Sequence, residues 1–183
     1  MEDISLHILD IVENSIRAEA NRVEIRIIED EERDLLRIEI KDNGRGMDKE
    51  ILEKVLDPFT TTKQTGRMGL GLPLLADSAR QSGGDIQILS NVGVGTTVEA
   101  DFRYSNIDRK PLGNMINTLI TLIVGNPRVD FSYTHEKGNK RFSFDTTDVK
   151  NELDGIPLNH PEVVKSIRNY LQEGFEELGT SFY

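Results

Sequence analysis

Three observations predict an α+β fold for this chain. Ile4, Ile8, Ile11, Val12 and Ile16 recur at the spacing of an amphipathic helix over residues 3–18. Val23, Ile25, Ile27 and then Leu36, Ile38, Ile40 alternate with polar residues across the acidic turn Glu29–Asp34, the pattern of a strand hairpin. Further along the chain, helical and alternating stretches continue to replace one another, with no internal repeat.

The remaining elements follow in order. Asp48 caps a short helix that runs through Leu56. Residues 57–69 carry polar and glycine punctuation and read as a loop. Leu70 to Gln81 reads as a helix closed by Gly83-Gly84. Strands over 85–90 and 96–104 are joined by a turn at Gly93–Gly95. The character changes near Ser105-Asn106, which divides the chain into residues 1–104 and a small α+β extension, residues 105–183, suited to partner binding or dimerisation. There Pro111 fits the first turn of a helix reaching Val124, with a narrow polar stripe of Asn114, Asn117, Thr118 and Thr121. That helix is too short to cross a membrane and reads as buried or interfacial. Val129, Phe131 and Tyr133 pair with Phe142 and Phe144 across a turn at Glu136–Asn139. Thr146 or Thr147 caps a short helix to Leu153, and His160 helps cap a last helix that starts at Pro161.

Composition removes several functions. A net charge of -10 argues against a general nucleic-acid binder. No cysteine is present, so no disulfide, zinc-thiolate or iron–sulfur site forms. The sequence has no apolar run long enough to span a membrane, and Met1-Glu2-Asp3 lacks the basic flank of a signal peptide, so the expectation is a cytoplasmic protein with no membrane partner.

Chemistry concentrates in ordered boxes. Asp10, Asn14 and Arg17 share one face of the first helix, a stripe that suits metal and phosphate; a solvated polar face is the alternative. The amide oxygen of Asn14 is a hard ligand of the kind magnesium takes. In Asp42-Asn43-Gly44-Arg45-Gly46-Met47, Asp42 ends a strand and can accept from an exocyclic amine. Gly44 and Gly46 permit close backbone approach to a flat base, and Met47 offers an apolar wall. A tight strand-to-helix turn is the alternative there. Next come Asp57-Pro58-Phe59-Thr60-Thr61-Thr62-Lys63 and Gly66-Arg67-Met68-Gly69-Leu70-Gly71-Leu72. The glycines Gly66, Gly69 and Gly71 free backbone amides for phosphate oxygens, and Lys63 and Arg67 add mobile cations. Thr96 shares a strand face with Val98, Ala100 and Phe102, placing its hydroxyl at the base of a pocket, although an ordinary strand threonine has the same pattern.

In this order the boxes resemble the N-box, first glycine box, F-box and second glycine box of the GHKL ATPases. That superfamily includes gyrase-type and MutL-type ATPases, histidine kinases and anti-sigma serine kinases. The resemblance spans residues 4 to about 104. It implies the Bergerat ATP-binding fold, a two-layer α/β sandwich with a mixed sheet and helices on one face, and ATP with Mg2+ as cofactors. By position, Asn14 resembles the magnesium ligand, Asp42 the adenine-binding aspartate and Thr96 the threonine beside adenine. Phe59 and the Gly66–Gly71 segment resemble the lid. The run Phe59–Lys63 and Gly69-Leu70-Gly71-Leu72 look most like the histidine-kinase branch, whereas Asp10–Ser15 looks more like the MutL branch.

The chain also departs from the pattern. Its first helix begins near residue 1, where histidine kinases carry an upstream hairpin with the phosphoacceptor histidine. Asp10 stands where hydrolysing members have glutamate and is shorter by about 1.5 Å, which weakens it as a base for hydrolysis. Met68 replaces a common glycine and stiffens the lid. Residues 105–183 match no transducer domain. His7 reads as a surface histidine, and His135-Glu136 lies on a hairpin rather than on an acceptor helix. The expected function is a histidine-kinase-like protein that phosphorylates a partner in trans. A nucleotide-gated regulatory module and a slow ATPase are the alternatives, and a homodimer stays open.

Overall fold

The computed structural model describes residues 3–57 and 71–180. The expected lid residues Phe59, Lys63, Gly66, Arg67, Met68, Gly69 and Leu70 lie outside the described residues.

The elements, in chain order, are α1 (Ile4–Arg17), β1 (Arg22–Asp30), β2 (Leu35–Asp42), α2 (Lys49–Lys54), α3 (Gly71–Gln81), β3 (Asp85–Asn91), β4 (Gly95–Arg103), α4 (Met115–Gly125), β5 (Asp130–Lys137), β6 (Lys140–Asp145), α5 (Thr146–Glu152) and α6 (Pro161–Leu178). One six-stranded sheet runs in the order β3-β4-β2-β1-β5-β6. It is mixed, because β1 pairs in parallel with β5 while its pairing with β2, and the other pairings, are antiparallel.

Register explains why one face is dry. Ile25 lies opposite Ile40 and Tyr133, Ile40 opposite Val98, and Tyr133 opposite Phe144. Because side chains alternate along a strand, these residues all point to the same side. They join the inward stripes of α1, α3, α4 and α6 in one continuous core. Each fully buried isoleucine there contributes roughly 1.5–3 kcal/mol. The opposite face carries ion pairs, including Arg37 on both oxygens of Asp101 at 2.7 Å and Arg26 on Glu136 at 3.1 Å. The architecture is thus the α+β sandwich with a mixed sheet and helices on one face.

The segment after residue 104 extends this same sheet. β5 lies against β1, and α4 packs on α1. Two amides of the first turn of α1 donate to carbonyls of the segment leading into α4, Ile4 N to Pro111 O at 3.0 Å and Ser5 N to Leu112 O at 2.8 Å. That use of Pro111 and Leu112 shifts the expected start of the helix. Gly113 turns at φ +81, and α4 begins at Met115, with the Asn114 side chain accepting from Asn117 N at 2.9 Å. Thr118 is not part of the outer stripe but is buried against α1.

Two other caps differ from expectation. Asp145 caps α5, accepting from Thr147 N, because Thr146 Oγ1 is already taken by Phe131 N at 2.8 Å. His160 occupies the N-cap position of α6 without a side-chain bond, and Pro161 supplies the preset first turn instead.

His135 is fully buried, between β1 and α6. Its Nε2 pairs with Glu29 Oε1 at 2.8 Å and its Nδ1 with the Tyr133 hydroxyl at 2.9 Å. The ring meets Phe175 of α6 edge-on at 5.7 Å. Burial alone would raise the Glu29 carboxyl, but the His135 bond, Lys137 and the Tyr104 hydroxyl together hold it below its usual value.

Gly95 opens β4 at φ +129, and a Cβ there would stand 1.9 Å from the Asp42 carbonyl oxygen. Gly95→Ala combines backbone strain with a clash against the main chain. It is expected to cost about 3 kcal/mol or more, read as a lower urea midpoint. A midpoint within error of wild type would refute this close approach.

Candidate functional site

Asp42 is the fixed point. It ends β2 opposite Thr96 and is 9% exposed. Three elements converge on its carboxylate. Ser15 Oγ of α1 donates to Oδ2 at 2.6 Å, while Gly44 N at 2.9 Å and Thr96 N at 3.3 Å donate to Oδ1. The donors fix the plane of the carboxylate and leave a lone pair on the Ser15 side for a ligand N–H.

The loop after β2 is pressed between α1 and the β3–β4 hairpin. Arg45 N donates to Ala18 O at 2.8 Å, and Gly93 N donates to Arg45 O at 2.8 Å. A Cβ on Gly44 would lie 2.7 Å from Ala18 O. One on Gly46, whose φ is +68, would lie 2.0 Å from Asn91 O. Both glycines therefore let backbone close on backbone beside Asp42. Met47 N is tied to Ser90 Oγ at 2.8 Å, and Ser90 Oγ shares a hydrogen bond with Thr96 Oγ1 at 2.8 Å. The Thr96 hydroxyl is thereby held next to Asp42.

The second half of the site lies on α1. Asp10, Asn14 and Arg17 ascend one face of the helix, as their spacing requires. Arg17 Nη1 donates to Asn14 Oδ1 and Arg17 Nη2 to Glu13 Oε2, each at 2.8 Å. The start of α3 abuts this face: a Cβ on Gly71 would be 3.1 Å from Asp10 Cβ and 3.8 Å from Asn14 Nδ2. Leu72, the next residue, packs against the core. Burial, then the neighbouring Glu13, raises the Asp10 carboxyl above its ordinary value, with Arg17 opposing. Asp10 is therefore a somewhat stronger base than a free aspartate.

Nucleotide and magnesium fit these residues. Asp42 offers an anchored acceptor beside the glycine backbone of residues 44–46, and Asn14 offers one hard oxygen. Magnesium takes few protein ligands, completing its shell with water and phosphate oxygens. Among the described residues there is no cluster of three or more histidine, cysteine or acidic side chains placed to hold a metal. Asn14 with phosphate is thus the arrangement to consider.

Sequence reasoning missed Ser15, Ser90 and Ala18. Ser15 was signalled by its place beside Asn14 in a buried helical position. Ser90 had no local signal, since only the pairing of β3 with β4 sets it opposite Thr96. Ser15→Ala removes one of three donors to Asp42. It is expected to weaken ATP binding about tenfold with little loss of stability, measurable by calorimetry. Unchanged affinity would show that Gly44 and Thr96 suffice to orient the carboxylate.

His7 also departs from expectation. It is fully buried on α1 rather than on the surface, and neither ring nitrogen has a hydrogen-bond partner.

Comparison with known proteins agrees with this architecture. A family model described as "Histidine kinase-, DNA gyrase B-, and HSP90-like ATPase" matches residues 2–106. The chain belongs to that family and carries a histidine-kinase-like ATPase domain, a nucleotide-binding domain. Its relatives include Sensor histidine kinase WalK of Bacillus subtilis, 35% identical over 111 residues, 56% of this chain and 18% of the relative. Signal transduction histidine-protein kinase AtoS of Escherichia coli is 40% identical over 91 residues, 49% of this chain and 15% of the relative. Sensor kinase CckA of Brucella abortus is 43% identical over 67 residues, 36% of this chain and 7% of the relative. The chain thus spans less than a fifth of these relatives. A solved structure of the N-terminal domain of a DNA repair protein shares the fold, with TM-score 0.56 and 19% identity. That likeness covers 78% of this chain and 52% of the other, so it reaches beyond the stretch that the family model matches.

Proposed function

We propose that this protein is an ATP- and Mg2+-dependent signalling kinase of the histidine-kinase type that phosphorylates a protein partner in trans, in the cytoplasm. The observation that carries the nucleotide half is the Asp42 carboxylate, held by Ser15, Gly44 and Thr96 with an acceptor position to spare. Asp42 accepts from the exocyclic amine of adenine, and Asn14 holds the metal. Bound ATP with its metal supplies the phosphoryl group and the charge neutralisation that transfer needs. Arg17 binds phosphate oxygens, and Asp10 serves as polar support and weak base.

Transfer to another molecule is supported by the chain's own histidines. His7 and His135 are fully buried. His160 is exposed at the start of α6, which packs on β6 and α4 at the opposite edge of the sheet from β3 and β4. Among the described residues no helix is long and apolar enough to cross a membrane.

A second reading, a nucleotide-gated regulatory module, is favoured by the clasp between α1 and the Pro111–Leu112 segment, which joins the later part of the chain to the helix carrying Asn14. Calorimetry with ATP and Mg2+, followed by transfer of label from γ-labelled ATP into fractionated extract, separates the two. A labelled partner supports the kinase. Binding without label, together with a nucleotide-dependent change in partner capture, supports the module. Absence of ATP binding sinks both.

A further inference from the structure

We propose that Arg17 is a built-in competitor for the divalent cation at Asn14, so that metal binds this site strongly only when nucleotide is present. The inference rests on the reading of Asn14 as the metal ligand.

Asn14 has a single hard oxygen, Oδ1, and Arg17 Nη1 already donates to it at 2.8 Å. The same guanidinium is anchored by Glu13 Oε2 on Nη2 at 2.8 Å. Glu13 and Asn14 precede Arg17 by four and three residues, so the three side chains meet on consecutive turns of α1 and need no tertiary movement to do so. Turning the Asn14 amide over gives no escape. Its NH2 would then face the guanidinium, donor against donor. The oxygen stays on the Arg17 side and the Nδ2 stays towards Gly71.

A dication held by Oδ1 would stand directly against the guanidinium from which the same oxygen already accepts. Like charges that close repel, so Arg17 has to leave before the metal takes the oxygen. Leaving is easy, because the Arg17 and Glu13 side chains are 54% and 45% exposed, and an exposed pair of this kind is weak. A polyphosphate near the site gives the guanidinium a better partner, with two parallel hydrogen bonds and full charge. Nucleotide therefore frees the oxygen, and metal alone meets it blocked. The coupling is reciprocal: metal must strengthen nucleotide binding by the same factor.

The test uses Mn2+ as a paramagnetic probe, titrated into the full chain with and without a non-hydrolysable ATP analogue. In the wild type, Mn2+ alone binds weakly and the analogue strengthens it many-fold. Arg17→Gln is expected to bind Mn2+ alone about threefold to tenfold more tightly, with a correspondingly smaller gain from the analogue. Removing a positive charge helps any cation, so the same substitution is repeated in an Asn14→Ala background. If the effect acts through Oδ1, the gain vanishes there. A gain that persists without Asn14, or an Arg17→Gln variant that binds Mn2+ no better than wild type, overturns the proposal. Failure of the analogue to bind any variant falls on the functional reading instead, while the Mn2+-only arms still decide whether Arg17 blocks Asn14.

Discussion

Asp42→Asn is expected to weaken ATP binding by about tenfold to a hundredfold while leaving the fold intact. The magnitude corresponds to losing a hydrogen bond to a charged acceptor, about 1.5–3 kcal/mol. The direction follows from the donors around the side chain. Gly44 N and Thr96 N point at Oδ1, so the one remaining oxygen of asparagine must face them. The new NH2 then takes the place of Oδ2, beside the Ser15 hydroxyl, which can rotate to accept from it. The ligand's amine meets a donor where it had met an acceptor. Calorimetry with ATP, alongside a urea unfolding curve, reads both quantities. Affinity within threefold of wild type would remove Asp42 from the site.

Acidification from pH 6.5 to 4 is expected to strip on the order of 3 kcal/mol from the folded state through His7 alone. Burial, and after it the ammonium of Lys110, lowers the His7 ring from 6.5 to about 4, with Asp3 working the other way. The sign follows. Below pH 6.5 the unfolded chain gains a proton on His7 that the folded chain refuses until about pH 4, so the unfolded state is favoured across that window. The stability His7 contributes is therefore complete above 6.5 and is lost on descending to 4. His7→Leu removes both a buried ring with unpartnered nitrogens and its titration. The variant should match or exceed wild type at pH 7 and show a flatter decline between pH 6.5 and 4. Parallel declines in the two proteins would show that His7 is hydrated or paired in solution.

These two residues show where local pattern suffices and where it fails. Asp42 was legible because a strand-ending aspartate followed by Gly44 and Gly46 is a local signature, and its resemblance to a known box names the role. His7 was not legible. Its exposure depends on what packs over α1, and α3, α4 and the Pro111–Leu112 segment that do so come from far along the chain. The same segment explains the late start of α4, since carbonyls expected inside a helix are spent on Ile4 and Ser5. Ser15 was half legible: the helix stripe buried it, but only the meeting of α1 with β2 turns its hydroxyl onto Asp42. Thr96 was placed on the right strand face, and its partner Ser90 required the register of β3 on β4.

Periodicity and the order of the boxes were enough to establish the α+β class, most helices and strands, the family, and the stripe of Asp10, Asn14 and Arg17. Each of those depends on residues within a turn or a strand of one another. The tertiary structure alone decided that β5 joins the sheet beside β1, that His7 and His135 are buried, and that three separate elements aim donors at one carboxylate. Contacts such as Val23 with Phe131 carry no local mark, because strand pairing is chosen by which complete set of apolar faces can be buried together.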